Sequence, residues 1–220
     1  WLTPISTEQG ERPGSADVIF IPYVERMNAS LAYYKGYSLR EEHPYINIWL
    51  KNLEQLDEYR GTQGDFHTHV HDLPPQMGGC FFHLNNNQQL FAKNIDIGNG
   101  LGKLELAELQ ADKNSKKKFE SIALERVLKH KEKIINVNPI RNKLFDQPLR
   151  AALTSMISSQ DCRPDKKSAS SIRYLRDRIS VPRDMPLLSA RLFRQALERT
   201  ANMDCIDSGP VIPIVNRLDQ

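Results

Sequence analysis

Apolar residues along this chain recur mostly at intervals of three and four, the helical period, and almost nowhere alternate as a strand requires. From Gly14 the positions Val18, Ile21, Val24, Met27 and Leu31 fall on one face of a helix running to about Lys35, with Gly36 in the C′ place. Phe20, Tyr23 and Tyr34 widen that stripe so far that the helix is expected to be buried on several sides, as the central element of a bundle. Pro22 lies beyond the first turn and predicts a kink. Ser38-Leu39-Arg40-Glu41 has capping-box spacing for one short turn. Pro44 suits the first position of a second helix, striped by Ile46, Trp49, Leu50, Leu53 and Leu56 and ending near Arg60-Gly61. Residues 62–80, with His67, His69, His71, adjacent prolines and Gly78-Gly79, leave room for at most one or two helical turns. Residues 81–114 are rich in Asn, Gln and Gly and read as a long loop or linker, with a turn of helix at 104–109.

A second helical set follows. Ser115 is placed to cap a long helix in which Phe119, Ile122, Ala123, Val127, His130 and Ile134 share a face, and Pro139 ends it. Asp146 caps the next, with Pro148 in its first turn and Leu149, Leu153, Met156 and Ile157 inside. Ser168 or Ser170 opens another, carrying Ile172, Leu175 and Ile179. Pro186 opens the last, with Leu188, Leu192, Phe193, Ala196 and Leu197. After Cys205 two prolines forbid helix, so the tail is expected to lie extended, with Val211, Ile212, Ile214 and Val215 against something apolar. The pattern predicts an all-α protein in three parts: a helical domain over 1–80, a linker over 81–114, and a C-terminal helical extension with an extended tail over 115–220.

Composition narrows the class. A chain of 220 residues with 40% apolar and 26% charged positions is neither a disordered polyelectrolyte nor a set of membrane spans, and no unbroken apolar stretch exceeds four residues. Cys80, Cys162 and Cys205 are odd in number and widely spaced, which favours reduced thiols over a disulfide framework. Net charge is +3 but unevenly spread: residues 1–80 carry 11 acidic and 6 basic side chains, residues 81–220 carry 16 and 24. Eleven Lys/Arg against four Asp/Glu between Lys113 and Arg150 read as a solvated helix face or as a docking surface for an acidic partner. No nucleic-acid partner is expected from so small a net charge, and no transmembrane segment; peripheral association with a membrane through a complex stays open.

Little in the chain carries obvious chemistry. There is no G-x-S-x-G, P-loop, Rossmann glycine pattern or H-E-x-x-H. His67, His69 and His71, flanked by Asp65 and Asp72, form the one metal-like constellation. On a strand the three imidazoles would share a side; on a helix only His67 and His71 would pair. They read as histidines hydrogen-bonded to the bundle, as a metal site, or as a pH-sensitive contact. Arg176, Asp177, Arg178, Arg183 and Asp184 read as an ion-pair network joining two helices.

Pro13-Gly14-Ser15-Ala16-Asp17-Val18, followed by Pro22-Tyr23-Val24-Glu25-Arg26-Met27 and Pro44-Tyr45-Ile46-Asn47-Ile48-Trp49-Leu50, resembles the buried central helix and the next helix of the C-terminal, all-helical domain of glutathione transferases. That family opens the helix with a Ser/Thr cap and an Asp three positions on; here Asp17 fits the second place while Gly14 holds the first, a cheap departure. The resemblance gives Asp17 a structural role. A narrower likeness, to a cyanobacterial and plastid transferase-like group with an extra C-terminal helical region, rests on residues 60–62, 65–80, 123–130 and 174–185.

In that family glutathione is held chiefly by a thioredoxin-like N-terminal domain, and this sequence has no segment resembling one. Glu120-Ser121 imitates the family's glutathione-binding pair, and a Val181-Pro182 pair exists, but in reversed order and about sixty residues apart. The resemblance therefore implies a non-catalytic interaction or structural module, a pseudoenzyme without cofactor, docked to protein partners in a larger assembly. A chloroplast photosynthetic complex, at the stroma or thylakoid periphery, is the implied host; a cytoplasmic location is the alternative. The competing expectation is the C-terminal part of an active glutathione transferase whose glutathione-binding domain precedes Trp1, with Tyr23 and Met27 in the second-substrate pocket.

Overall fold

The computed structural model describes residues 13–101, 113–138, 144–206 and 212–215. Among them lie ten helices and no strand, so the protein is all-α. They are α1 (Ser15–Lys35), α2 (Leu39–Glu42), α3 (Pro44–Leu53), α4 (Asp57–Thr62), α5 (Phe66–Met77), α6 (Asn86–Asp96), α7 (Lys113–Val137), α8 (Asp146–Ser158), α9 (Ala169–Arg178) and α10 (Leu187–Asn202).

Helix α1 starts where the Asp17 carboxylate accepts the Gly14 N–H at 2.8 Å, and stops at Gly36, whose φ of +69° favours glycine. A Cβ on Gly36 would also collide with the backbone of Gln88, so the residue both ends α1 and lets α6 approach. The C-terminal half of α1 packs on α5 and α6 through Ala29, Tyr33, Tyr34, Val70, Leu73 and Ile95. Its earlier turns meet α3 and α4 only on one side, where Ile21 and Val24 lean on Trp49, Leu50, Leu53 and Tyr59. The all-round burial expected of α1 does not occur: Val18, Ile19, Phe20, Tyr23 and Met27 are exposed.

Three other expectations change. The single helix from Pro44 to Arg60-Gly61 is two, broken at residues 54–56. Segment 62–80 carries more than one or two turns, since α5 spans twelve residues despite Pro74 and Pro75 inside it. Pro74 has no N–H for the carbonyl of Val70 four residues earlier, and the Tyr34 hydroxyl donates to that oxygen instead, at 2.7 Å. The stretch read as linker contains α6, capped by Asn85, which accepts the Gln88 N–H at 2.8 Å. Gln88, Phe91 and Ile95 form its buried side, and Gln88 is accommodated because its amide donates to the Tyr33 carbonyl at 2.8 Å. The turn expected at 104–109 and the stop at Pro139 lie outside the described residues.

The second half is built around α10, which packs on α7, α8 and α9. Ala123, Val127, Phe145, Leu149, Met156, Ile172, Phe193 and Leu197 belong to one continuous core, with Phe119 and Ile134 packed against it, whereas His130 and Ile157 face solvent. Ser115 lies inside α7 rather than capping it, and Asp146 lies in the first turn of α8, bonded to Lys131 and Arg150. Helix α9 begins after Ser168, but its cap comes from afar: Asp204 accepts the N–H groups of Lys167, Ser168 and Ala169 at 2.7–3.0 Å. In the tail, Ile214 is buried, Asp177 accepts the Ile212 N–H at 3.2 Å, and Arg178 donates to the carbonyls of Ile212 and Pro213. Val215 is exposed, and Val211 lies outside the described residues. The described part of the tail thus lies against this chain itself.

One buried ion pair joins the halves, and a network of others lies within the second. Arg194 of α10 pairs with Asp65 at the start of α5 and donates to the Ile179 carbonyl at 2.5 Å. Arg176 bonds Asp177 at 2.7 Å and Glu198 at 2.6 Å, while Arg173 reaches Glu198, Asn202 and the Cys205 carbonyl. The Thr68 hydroxyl accepts the Val181 N–H at 3.0 Å. Three arginines thus face three carboxylates with almost no solvent, the arrangement in which losing one partner is costly. Of the expected ion-pair residues, Arg176 and Asp177 enter this network. Arg183 and Asp184 pair with each other at the surface, and Arg178 stacks on Tyr174 and holds the tail.

Candidate functional site

Asp17 does what its position in the first turn of α1 suggests. Its second carboxylate oxygen accepts the Trp49 indole N–H at 2.8 Å, so the residue that caps α1 also fixes α3 against it.

The histidines follow the helical alternative. On α5, His67 and His71 face each other with ring centroids 4.5 Å apart, and His69 points elsewhere, its Nε2 4.0 Å from Glu25 of α1. His71 bonds Asp96 at 2.9 Å, and Asp96 also accepts the Tyr33 hydroxyl at 3.1 Å. His67 lies 3.6 Å from Asp177, beyond hydrogen-bond reach, and its Nε2 is buried without a partner. Burial first, and then the Arg194 guanidinium, hold His67 well below the ordinary histidine pKa, so it is neutral. Burial would raise the Asp65 carboxyl, but the Arg194 guanidinium and the Thr68 N–H reverse this and leave it well below the usual range. Among the described residues no three His, Cys, Asp or Glu side chains are grouped to hold a metal ion.

Tyr23 and Met27 are exposed on the surface of α1, outside the lining of the cleft described below. Ile19, Phe20, Tyr23 and Met27, spaced i, i+1, i+4 and i+8, lie within about 100° of helix circumference. Tyr23 is 71% and Ile19 60% exposed, and on the adjoining α3 Tyr45 and Ile48 are exposed as well. Glu120 is buried in α7 and paired with Lys116 one turn earlier, so the Glu120-Ser121 pair is not at a helix N-terminus where backbone N–H groups could take a carboxylate. The Val181-Pro182 peptide is cis and lies in a loop between α9 and α10.

A feature not anticipated from the sequence is a cleft of about 660 Å³ between the two halves. Leu50, Phe66, Phe119, Ile122, Leu187 and Leu188 are among its apolar lining. Its polar residues include Glu25, Arg40, Lys51, His69, Lys118 and Arg191. The Glu25 carboxylate accepts the Tyr59 hydroxyl at 2.6 Å and the Gly64 N–H, with His69 beyond. Burial raises the Glu25 carboxyl above its ordinary pKa and lowers His69 below its own. Gly64 admits the His69 ring, because a Cβ there would overlap its Nε2. No local motif could have announced this cleft, because its residues come from seven separate helices and the turns between them.

Comparison with known proteins yields no match to a family model, a curated protein or a solved structure.

Proposed function

We propose that this chain is a non-catalytic interaction module that docks on a larger protein assembly through the exposed face of α1. One observation carries the reading: Ile19, Phe20, Tyr23 and Met27 form an apolar strip on a well-formed helix, and nothing in the described residues covers it. Contiguous exposed apolar surface of this kind marks interaction sites more often than accident. Its two aromatic rings suit the anchor role that aromatic side chains play at the centre of interfaces. The occupant is a protein surface with apolar pockets for those rings. The exposed cations Lys117, Lys118, Arg126, Lys129 and Lys133 of α7 offer acidic groups on that partner a second, salt-sensitive contact. The likeness of the sequence to plastid transferase-like proteins makes a photosynthetic complex of the chloroplast the proposed host.

Sedimentation of native lysate tests this. The wild-type chain should travel with an assembly far larger than itself. The double variant Ile19→Asp/Tyr23→Asp should return to the monomer position while keeping its helical content, and Arg199→Gln, on the exposed side of α10, should behave as wild type. A wild-type chain found only as monomer would overturn the reading. Tight stoichiometric uptake of glutathione by these residues would replace it with the transferase alternative.

A further inference from the structure

The segment joining α5 to α6 presents apolar side chains of its own, independent of whether α1 docks. Met77 is 70% exposed, Phe81 and Leu84 more so, and Phe82 less. These side chains are not on a loose strand of chain. Gly78 and Gly79, at φ +75° and +138°, lead out of α5. The His83 N–H then donates to the Tyr34 carbonyl at 2.8 Å, the Lys35 ammonium to the Phe81 carbonyl at 2.9 Å, and the Asn85 amide to the Lys35 carbonyl at 3.0 Å. The Phe82 ring leans on Tyr34, with centroids 5.0 Å apart. Backbone and ring thus fasten the segment to the end of α1, and the fastening keeps Phe81 and Leu84 in water, where apolar surface is unfavourable.

Charge indicates what such a surface fits. From Leu73 to Ile95 the sequence holds no Asp or Glu. The carboxylates that bound this stretch are engaged, Asp72 by Arg26 and Asp96 by His71. The fixed charges on the segment and beside it are cationic: Lys93, exposed on α6, and Lys35, whose ammonium lies 4.9 Å from the centroid of the Phe81 ring. The exposed side chains that follow, Asn86, Asn87 and Gln89, are uncharged amides. Apolar tips among lysines, without carboxylates, match the boundary of an anionic bilayer, where rings and aliphatic groups enter the acyl region and ammonium groups stay with the phosphates. A protein pocket for the same rings sets no such condition on the charges around it. No described helix is long and apolar enough to cross a membrane, so contact made by this segment is at the surface.

We propose that the segment 77–84 is a membrane-binding loop, which seats Met77, Phe81 and Leu84 at the headgroup boundary of a bilayer containing anionic lipid, with Lys35 and Lys93 against its phosphates. Both attractions are needed together, since a small apolar insertion alone gives only marginal, reversible binding.

Flotation of the whole chain with two kinds of vesicle tests the proposal, one of phosphatidylcholine alone and one of phosphatidylcholine and phosphatidylglycerol in equal parts. The chain should partition into the anionic vesicles at least about tenfold more strongly than into the neutral ones, and rising salt should release it. Phe81→Ser/Leu84→Ser should weaken that binding about tenfold or more with helical content unchanged, while Tyr23→Ser, on α1, should leave it as in wild type. No partition into anionic vesicles, equal partition into both kinds, or full binding by the double variant would overturn the proposal. So would binding lost in Tyr23→Ser, which would move the contact to α1. A double variant that leaves a native protein assembly, in a chain whose wild type ignores both vesicles, would assign the segment to a protein partner instead. The comparison of lipids uses the wild-type chain alone, so a double variant that failed to fold would not shelter the proposal.

Discussion

In the α7–α10 half, Phe145, Ile172, Phe193 and Leu197 are wholly enclosed, and each touches a core that runs without a gap from α7 to the residues before α10. In the α1–α6 half the buried apolar residues fall into two small clusters, one behind Tyr33 and Tyr34 and one around Trp49, while Ile19, Phe20, Tyr23 and Met27 stand in solvent. The second half closes over its own core, whereas the first leaves these side chains uncovered among the described residues. The enclosed Arg194–Asp65 pair links the two, with a cleft beside it, while Arg176, Asp177, Arg173 and Glu198 bond one another within the second half. Ionic joints of this kind fix geometry at the cost of sensitivity to the loss of any partner.

The sharpest way to break the comparison is to remove one ion from the joint. Arg194→Met leaves Asp65 enclosed without its cation, and urea unfolding should show a loss of about 3–5 kcal/mol. Adding Asp65→Asn should recover part of that loss, because no bare charge remains. A single variant within about 0.5 kcal/mol of wild type would mean that the halves are held by other means. Trp49→Phe is next in size. It keeps the small α3 cluster apolar but deprives the buried Asp17 carboxylate of its indole donor, for an expected loss of about 1–3 kcal/mol in the same assay.

Acid should act on the junction before it acts on the C-terminal core. His67 and His69 have pKa values held below the ordinary 6.5, so between that value and their own the unfolded chain binds protons that the folded chain refuses. Stability should be indifferent to these groups above about pH 6.5 and fall below it, by up to about 1.4 kcal/mol per pH unit for each histidine. His67→Gln/His69→Gln should flatten that slope; an equal slope in the double variant would contradict the burial argument. Asp65 acts lower still. Its stabilisation is complete above the ordinary carboxylate range, about pH 4, and drains away only as pH falls toward its own depressed value. The smallest effect is expected on the open face: Tyr23→Ser should change stability by no more than about 0.5 kcal/mol, since the side chain is largely exposed. A loss above about 2 kcal/mol would return that face to the core.

Local signals served well where they were self-sufficient. Ser38 caps α2, Pro44 opens α3, Pro186 precedes α10, and the α10 stripe of Leu192, Phe193, Ala196 and Leu197 is buried as its spacing requires. They failed where a distant group supplies what the local sequence lacks. Pro74 interrupts the α5 ladder on paper, but Tyr34 mends it from α1; Gln88 looks like loop material, but Tyr33 offers its carbonyl. Helix α6 was nonetheless legible in Asn85 followed by Gln88, Phe91 and Ile95 at helical spacing, a signal hidden by the surrounding Asn and Gln. The apolar girth of α1 says that its faces avoid water, not that this chain covers them. For the cleft, Glu25, Tyr59, Gly64, His69 and Phe119 are drawn together only by the tertiary fold.

Hydroxyl-radical footprinting of the native assembly against the isolated chain tests the role of the α1 face most directly. In the isolated chain Phe20, Tyr23 and Met27 should oxidise readily and the enclosed Phe193 should not. In native material the three should become protected, while exposed groups remote from the face, such as Cys205, keep their reactivity. Equal oxidation of Tyr23 and Met27 in both samples would contradict the account.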